Sequence, residues 1–129
     1  MNRYLLIALG AALGANARYL VGVWAADRLG ADYPYGTLIV NITGSFILGF
    51  LLSLTTERLA LSPELRFLLA VGFLGSYTTF SSYAVETLNL WREAGFWYGV
   101  RNVLLNNGVG LVFALLGTYV ARLLGSSQG

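Results

Sequence analysis

The chain of 129 residues contains no cysteine, no histidine and no lysine. Without cysteine there is no disulfide and no thiol redox chemistry, and without histidine most zinc sites are excluded. Charge is also scarce: eight arginines and six acids make 11% of the chain, against 57% hydrophobic residues and a mean hydropathy of +0.67. A soluble domain of this length must cover its surface with polar groups, and they are missing here. A membrane span needs about 20 mostly apolar residues. Four such stretches fit, which predicts an all-α integral membrane protein with 1–129 as a single membrane domain. The arginines sit mostly at segment ends, so the net charge of +2 implies no nucleic-acid face.

The expected spans are about 4–24, 35–55, 66–90 and 96–124. Between the first two lie Asp27, Arg28, Gly30, Asp32 and Pro34, a hinge rich in turn and cap residues. Glu57 and Arg58 follow the second span, then Ser62-Pro63-Glu64, with serine placed to cap and proline at the first helical position. Trp91-Arg92-Glu93 ends the third span at an interface, and the polar tail 125–129 is expected to be disordered. Tyr4, Trp24, Tyr33, Tyr35, Trp91, Trp97 and Tyr98 lie near span ends, as interfacial anchors do. Residues 1–17 imitate a secretory signal, ending in Ala15-Asn16-Ala17. Apolar sequence nevertheless continues to Trp24 with no soluble domain behind it, so this segment is read as the first transmembrane helix.

Four spans put both termini on one side of the membrane, with Arg3, Arg58, Arg66 and Arg122. Arg28, Arg92 and Arg101 fall on the other. Arginine bias fixes orientation at insertion, and here it nearly vanishes. Either one or two charges still decide, or the chain inserts both ways.

Inside the second span, Thr37, Asn41, Ser45, Gly49 and Ser53 recur at four-residue spacing and share one helical face. The fourth span repeats the device with Asn102, Asn106, Gly110, Ala114, Thr118 and Arg122, and Asn107 lies beside it. Small and hydroxylated residues let helices approach and hydrogen-bond. Buried amides in lipid demand more, so Asn41 and Asn106 are candidates for an aqueous or ion path. Gly10 and Gly14 in the first span read as packing positions. Arg18 and Glu86 are the two ionisable residues well inside spans, and such residues are costly and functional by default. For Arg18, near the far end of its span, snorkelling to the interface and attraction of an anion both remain open.

The third span contains Gly72-Phe73-Leu74-Gly75-Ser76-Tyr77-Thr78-Thr79-Phe80-Ser81-Ser82-Tyr83. Two glycines followed by clustered hydroxyl residues make a poor continuous helix, and a break near 75–79 is expected. Irregular backbone at membrane depth survives only where protein or water satisfies it. Freed carbonyls there suit a cation, and the amides opening a second half-helix suit an anion. Phe80 and Tyr83 share a face just beyond. Aromatic rings carry a positive edge, which can stabilise a small anion without trapping it.

These segments resemble successive motifs of the Fluc/CrcB family of fluoride channels. They are Gly10-Ala-Ala-Leu-Gly14-Ala-Asn-Ala-Arg18-Tyr19, then Gly36-Thr37-Leu38-Ile39-Val40-Asn41 with Gly44 and Gly49. The third is Gly72-Phe-Leu-Gly75 through Thr79-Phe80-Ser81-Ser82-Tyr83 with Glu86. The resemblance implies an antiparallel, dual-topology homodimer with two fluoride pores built from both subunits, in a prokaryotic inner membrane. It implies passive export of fluoride from the cytoplasm. The carbonyls of Gly75 and Thr78 from both chains would hold a structural sodium ion, and Asn41 would donate to fluoride. Phe80 and Tyr83 match a pair of pore phenylalanines, Ser81 and Ser82 a hydroxyl track, Arg18 a vestibule arginine and Glu86 a glutamate of the third span. Tyr83 departs from the usual phenylalanine, adding a hydroxyl that can donate to an anion or to a neighbour.

The principal alternative is a small proton-coupled multidrug-type transporter, which needs a carboxylate poised to exchange protons. In those transporters it lies in the first helix, where this chain has Arg18, leaving Glu86 for the role. A non-transporting subunit of a larger membrane complex is a third reading. No nucleophile, base and orienting partner point to an enzyme.

Overall fold

A computed structural model describes residues 2–56 and 61–127. Glu57 and Arg58, and with them one arginine of the charge balance, lie outside the described residues, as do Gln128 and Gly129. The described residues form helices and connecting turns without strands, and four helices are long and apolar enough to cross a membrane: Arg3–Leu29, Tyr35–Thr55, Pro63–Glu93 and Phe96–Ser126. The chain is therefore a multi-pass membrane protein. Large apolar side chains stay exposed along these helices, Leu13, Leu104, Leu111 and Leu115 among them. Lipid, not a second protein layer, is the solvent they are built for.

The ends differ from the sequence expectation in two places. The first helix runs through Asp27 and Arg28 to Leu29, so the turn is confined to residues 30–34. Arg28 then falls in the last helical turn, where a cation complements the helix dipole. The fourth helix continues through Gly125 to Ser126, into the segment 125–129 for which disorder was expected. Ser126 and Ser127 Oγ donate to the Leu123 and Leu124 carbonyls at 3.0 and 2.9 Å, satisfying acceptors a helix end would otherwise leave open. Ser62 caps the third span as its pattern predicts, its Oγ accepting from the Leu65 amide, with Pro63 at the first helical position. Gly95 joins the third and fourth spans at φ +129°, a conformation open to glycine.

Two close helix pairs set the architecture. The first helix lies along the opening half of the third: a Cβ on Gly10 would collide with the Leu68 carbonyl, and one on Gly14 with the Phe73 carbonyl. The packing reading of Gly10 and Gly14 thus holds. Gly72 faces Ile7 and Gly10 in the same seam, inside a run of wide, π-type turns from Arg66 to Leu74. The second and fourth helices run side by side in the same direction, Gly49 against Ala114 and Gly117 against Phe46. The four-residue stripes of these helices therefore face one another. From Gly49 to Gly117 they close on backbone contact, where small residues serve close approach.

Helical structure is interrupted after Tyr77. Thr78 (φ −82°, ψ 160°) and Thr79 (φ −151°, ψ 123°) are extended, and Phe80–Glu93 begins afresh with Thr79 Oγ1 accepting from the Ser82 amide. The interruption falls on the threonines, whereas Gly72 and Gly75 remain helical.

Gly117→Ala should destabilise the fold by about 1–3 kcal/mol through overpacking against Phe46. Gly108→Ala, whose Cβ meets nothing within 4 Å, should change little. Thermal unfolding in detergent, followed by circular dichroism, distinguishes the two.

Candidate functional site

The extended Thr78-Thr79 pair leaves backbone groups without helical partners at membrane depth, where each unmet group costs several kcal/mol, roughly. Asn41, from the second helix, meets them. Its Oδ1 accepts from the Thr79 amide at 2.8 Å and its Nδ2 donates to the Thr79 carbonyl at 3.0 Å. One side-chain amide thus stands in for a missing strand partner. The other Nδ2 hydrogen goes to Asn106 Oδ1 at 3.0 Å, so both hydrogens are committed.

The network continues along the fourth span. Asn106 Nδ2 donates to the carbonyl of Asn102 at 3.0 Å and to its Oδ1 at 3.2 Å. Asn102, fully buried, donates to Thr87 Oγ1 at 2.9 Å and accepts from the Tyr33 hydroxyl at 2.8 Å. Tyr33 is accordingly no surface anchor: it is 6% exposed, and the Arg101 guanidinium lies 4.6 Å over its ring. Burial pushes its phenol above the ordinary value. Tyr4, Trp24, Trp91, Trp97 and Tyr98 do stand exposed near helix ends.

A wide-turn stretch, Leu105–Val109, carries Asn106 and Asn107. Such bulges recur at functional sites, and here adjacent asparagines find different partners. Asn107 Nδ2 donates to the Tyr83 hydroxyl at 2.7 Å and to the Val103 carbonyl at 3.0 Å. Asn41, Ser45, Thr78, Thr79, Phe80, Tyr83, Asn106 and Asn107 line one cavity of about 270 Å³, together with Gly44 and Leu48. Phe80 and Tyr83 meet edge to face with centroids 5.5 Å apart; Tyr83 is 9% exposed, Phe80 76%.

Arg18, Ser82 and Glu86 line a different cavity, of about 480 Å³, with Thr37, Gly36 and Gly22. Arg18 Nε donates to the Ser76 carbonyl at 3.1 Å, at the end of the helix preceding the extended threonines. Because the first helix reaches Leu29, Arg18 lies about 16 Å from its C-terminal end at 1.5 Å rise per residue. Glu86 Oε1 accepts from Thr37 Oγ1 at 2.9 Å, while the buried Oε2 has no protein partner. Ser81 is exposed and lines neither cavity, and Gly75 is exposed beside the interruption.

Asn41, Phe80, Tyr83 and Asn106 thus line one cavity, while Arg18, Ser82 and Glu86 line another. Sequence reading missed Tyr33 as a polar partner and the tie between Asn107 and Tyr83. The shared four-residue spacing of the second and fourth helices was the available signal for the pairing of Asn41 with Asn106.

A family model described as "CrcB-like protein, Camphor Resistance (CrcB)" matches residues 5–118. A protein of Roseiflexus sp. (strain RS-1) named "Fluoride-specific ion channel FluC" is 50% identical over 123 residues, covering 92% of this chain and 95% of its own. Relatives of the same name from Solibacter usitatus (strain Ellin6076) and Sulfurihydrogenibium sp. (strain YO3AOP1) are 48% and 47% identical. They cover 93% and 96% of this chain, and 98% and 100% of their own.

Asn102→Leu should lower thermal stability by about 1–3 kcal/mol, because Tyr33 and Asn106 lose a buried partner. Asn16→Leu, whose exposed amide bonds only the Ala12 carbonyl of its own helix, should fall within about 0.5 kcal/mol of the parent. Unfolding midpoints of the two variants in one detergent provide the comparison.

Proposed function

The chain belongs to the CrcB-like family, and from that membership we propose that it is a fluoride-selective channel carrying the anion passively out of the cytoplasm. It is not an enzyme; the relatives it matches bear the name of a channel. The observation that carries the reading is the cavity at the interrupted third span, lined by amides, hydroxyls and an aromatic pair. Fluoride is small and holds its water tightly, so a path must replace that water with several close donors. Binding must also stay weak enough for release, and a lining of amides and ring edges without a cation meets both needs.

In this reading Asn41, Phe80, Tyr83 and Asn106 form the narrow part of the path. Asn41 serves through the hydrogen now held by Asn106 Oδ1, which an arriving anion takes over. Arg18, Ser82 and Glu86 belong to a vestibule, and Ser81 extends the hydroxyl track toward a neighbouring subunit. Two chains pair antiparallel, inserted in both orientations, and build two pores. The near balance of arginines supports this, as does the exposure of Gly75, Phe80 and Ser81 at membrane depth, where polar backbone needs a protein cover.

The carbonyls of Gly75 and Thr78 fit a structural sodium ion by the chemistry of the donors. The Thr79 amide, which a continuous helix would direct at the Gly75 carbonyl, is taken by Asn41 instead. The amide of Ser82, four residues beyond Thr78, is taken by Thr79 Oγ1. Hard carbonyl oxygens so released, two from each chain, would hold the cation, whose charge would cross-link the paired chains.

Liposomes containing only the purified protein should lose fluoride rapidly and chloride negligibly, read by fluoride and chloride electrodes without a proton gradient. Chloride loss at a similar rate, or no fluoride loss from folded protein, would overturn the proposal. Asn41→Ala and Phe80→Ala should each reduce fluoride flux by about tenfold or more while dimers still form. The estimate assumes loss of at least one charge-assisted contact. Normal flux in both would remove this cavity from the path.

A further inference from the structure

The direction of the bond between Asn107 and Tyr83 is chemically fixed. The Val103 carbonyl can only accept, so the end of the Asn107 amide that faces it must be the nitrogen. That nitrogen also lies 2.7 Å from the Tyr83 hydroxyl. Its two hydrogens are then divided between Val103 and Tyr83, and the phenol oxygen is the acceptor. The phenol hydrogen cannot go to Asn107, and among the described residues the Tyr83 hydroxyl has no other hydrogen-bond partner.

Most of the other side-chain donors around the same cavity are spent. Asn41 gives both hydrogens to Thr79 and Asn106, and Asn106 gives its own to Asn102. Ser45 donates to the Asn41 carbonyl and Thr78 to the Leu74 carbonyl. Among the described residues, two hydroxyl hydrogens of the lining remain uncommitted, those of Thr79 and Tyr83; the Tyr83 ring is buried and held against Phe80, which fixes where its hydroxyl sits.

We propose that the Tyr83 hydroxyl is the fluoride-binding donor of this cavity, and that Asn107 is a positioning residue which turns the hydroxyl hydrogen toward the anion. The proposal rests on the fluoride-channel reading and deepens it. An amide hydrogen donated to the phenol oxygen also polarises the O–H bond, strengthening it as a donor to a charged acceptor. The hydroxyl acts without breaking a bond already made, whereas Asn41 must first release Asn106.

The test is the dependence of initial fluoride efflux on internal fluoride concentration, in liposomes bearing the parent protein, Tyr83→Phe, Asn107→Ala or the double variant. Tyr83→Phe keeps the ring edge and removes one oxygen, so the half-saturating fluoride concentration should rise about tenfold or more. Asn107→Ala should raise it in the same direction, and the double variant should match Tyr83→Phe alone, since Asn107 acts through the hydroxyl. An unchanged half-saturation in Tyr83→Phe overturns the proposal while leaving the channel reading intact. An Asn107→Ala effect that persists in the Tyr83→Phe background overturns the positioning role. Absence of fluoride efflux from the parent protein overturns the channel reading with it. If Asn107→Ala fails to reconstitute, Tyr83→Phe alone decides the donor.

Discussion

The amide of Asn41 facing the backbone of Thr79 is the contact on which the site depends. An extended pair of residues at membrane depth would expose an N–H and a C=O to a medium that cannot hydrogen-bond them. Asn41 satisfies both at 2.8 and 3.0 Å, with the same geometry a strand neighbour would use. Because the interruption is held open in this way, Phe80–Glu93 starts a fresh helix with its aromatic pair in the first turn. The same contact frees the Gly75 carbonyl from its usual helical donor. A change at position 41 is therefore a change to the backbone as much as to the lining.

The surrounding packing makes that contact possible by bringing helix axes close. Glycines in the first helix accept the backbone of the third, and Gly49 and Gly117 do the same between the second and fourth. Without a hydrophobic drive between helices in lipid, such contacts and interhelical hydrogen bonds supply the cohesion. Polar residues then divide by depth. Toward Tyr33 the facing stripes of the second and fourth helices carry asparagines that bond across the seam; toward Thr118 they carry small residues that close it.

Hydrogen-bond direction can be followed through this network, because three of its four amides touch a backbone group that can play only one role. The Thr79 backbone orients Asn41, the Asn102 carbonyl orients Asn106 and the Val103 carbonyl orients Asn107. Thr87 Oγ1 donates to the Tyr83 carbonyl and so accepts from Asn102. A buried polar network satisfied to this degree favours one arrangement of the helices over others. It also makes vacancies in the hydrogen-bond accounting meaningful, the unpartnered Glu86 Oε2 among them.

The four spans, the cap at Ser62, the packing glycines of the first helix and the candidate amides were legible in the sequence. Each depends on hydropathy or on spacing along one helix, and those are local properties of the chain. The first helix outran its expected end because Asp27 and Arg28 are tolerated in a last turn whose side chains are exposed. Tyr33 was misread because its aromatic character and position near a span end are the same for a surface anchor and a buried donor. Only the tertiary structure decided which stripes face each other, that Asn107 points its nitrogen at Tyr83, and that Arg18 and Glu86 line a different cavity from Asn41. Those outcomes depend on which backbone carbonyl or amide a neighbouring helix brings within about 3 Å of a side chain, and no periodicity within a single helix contains that distance.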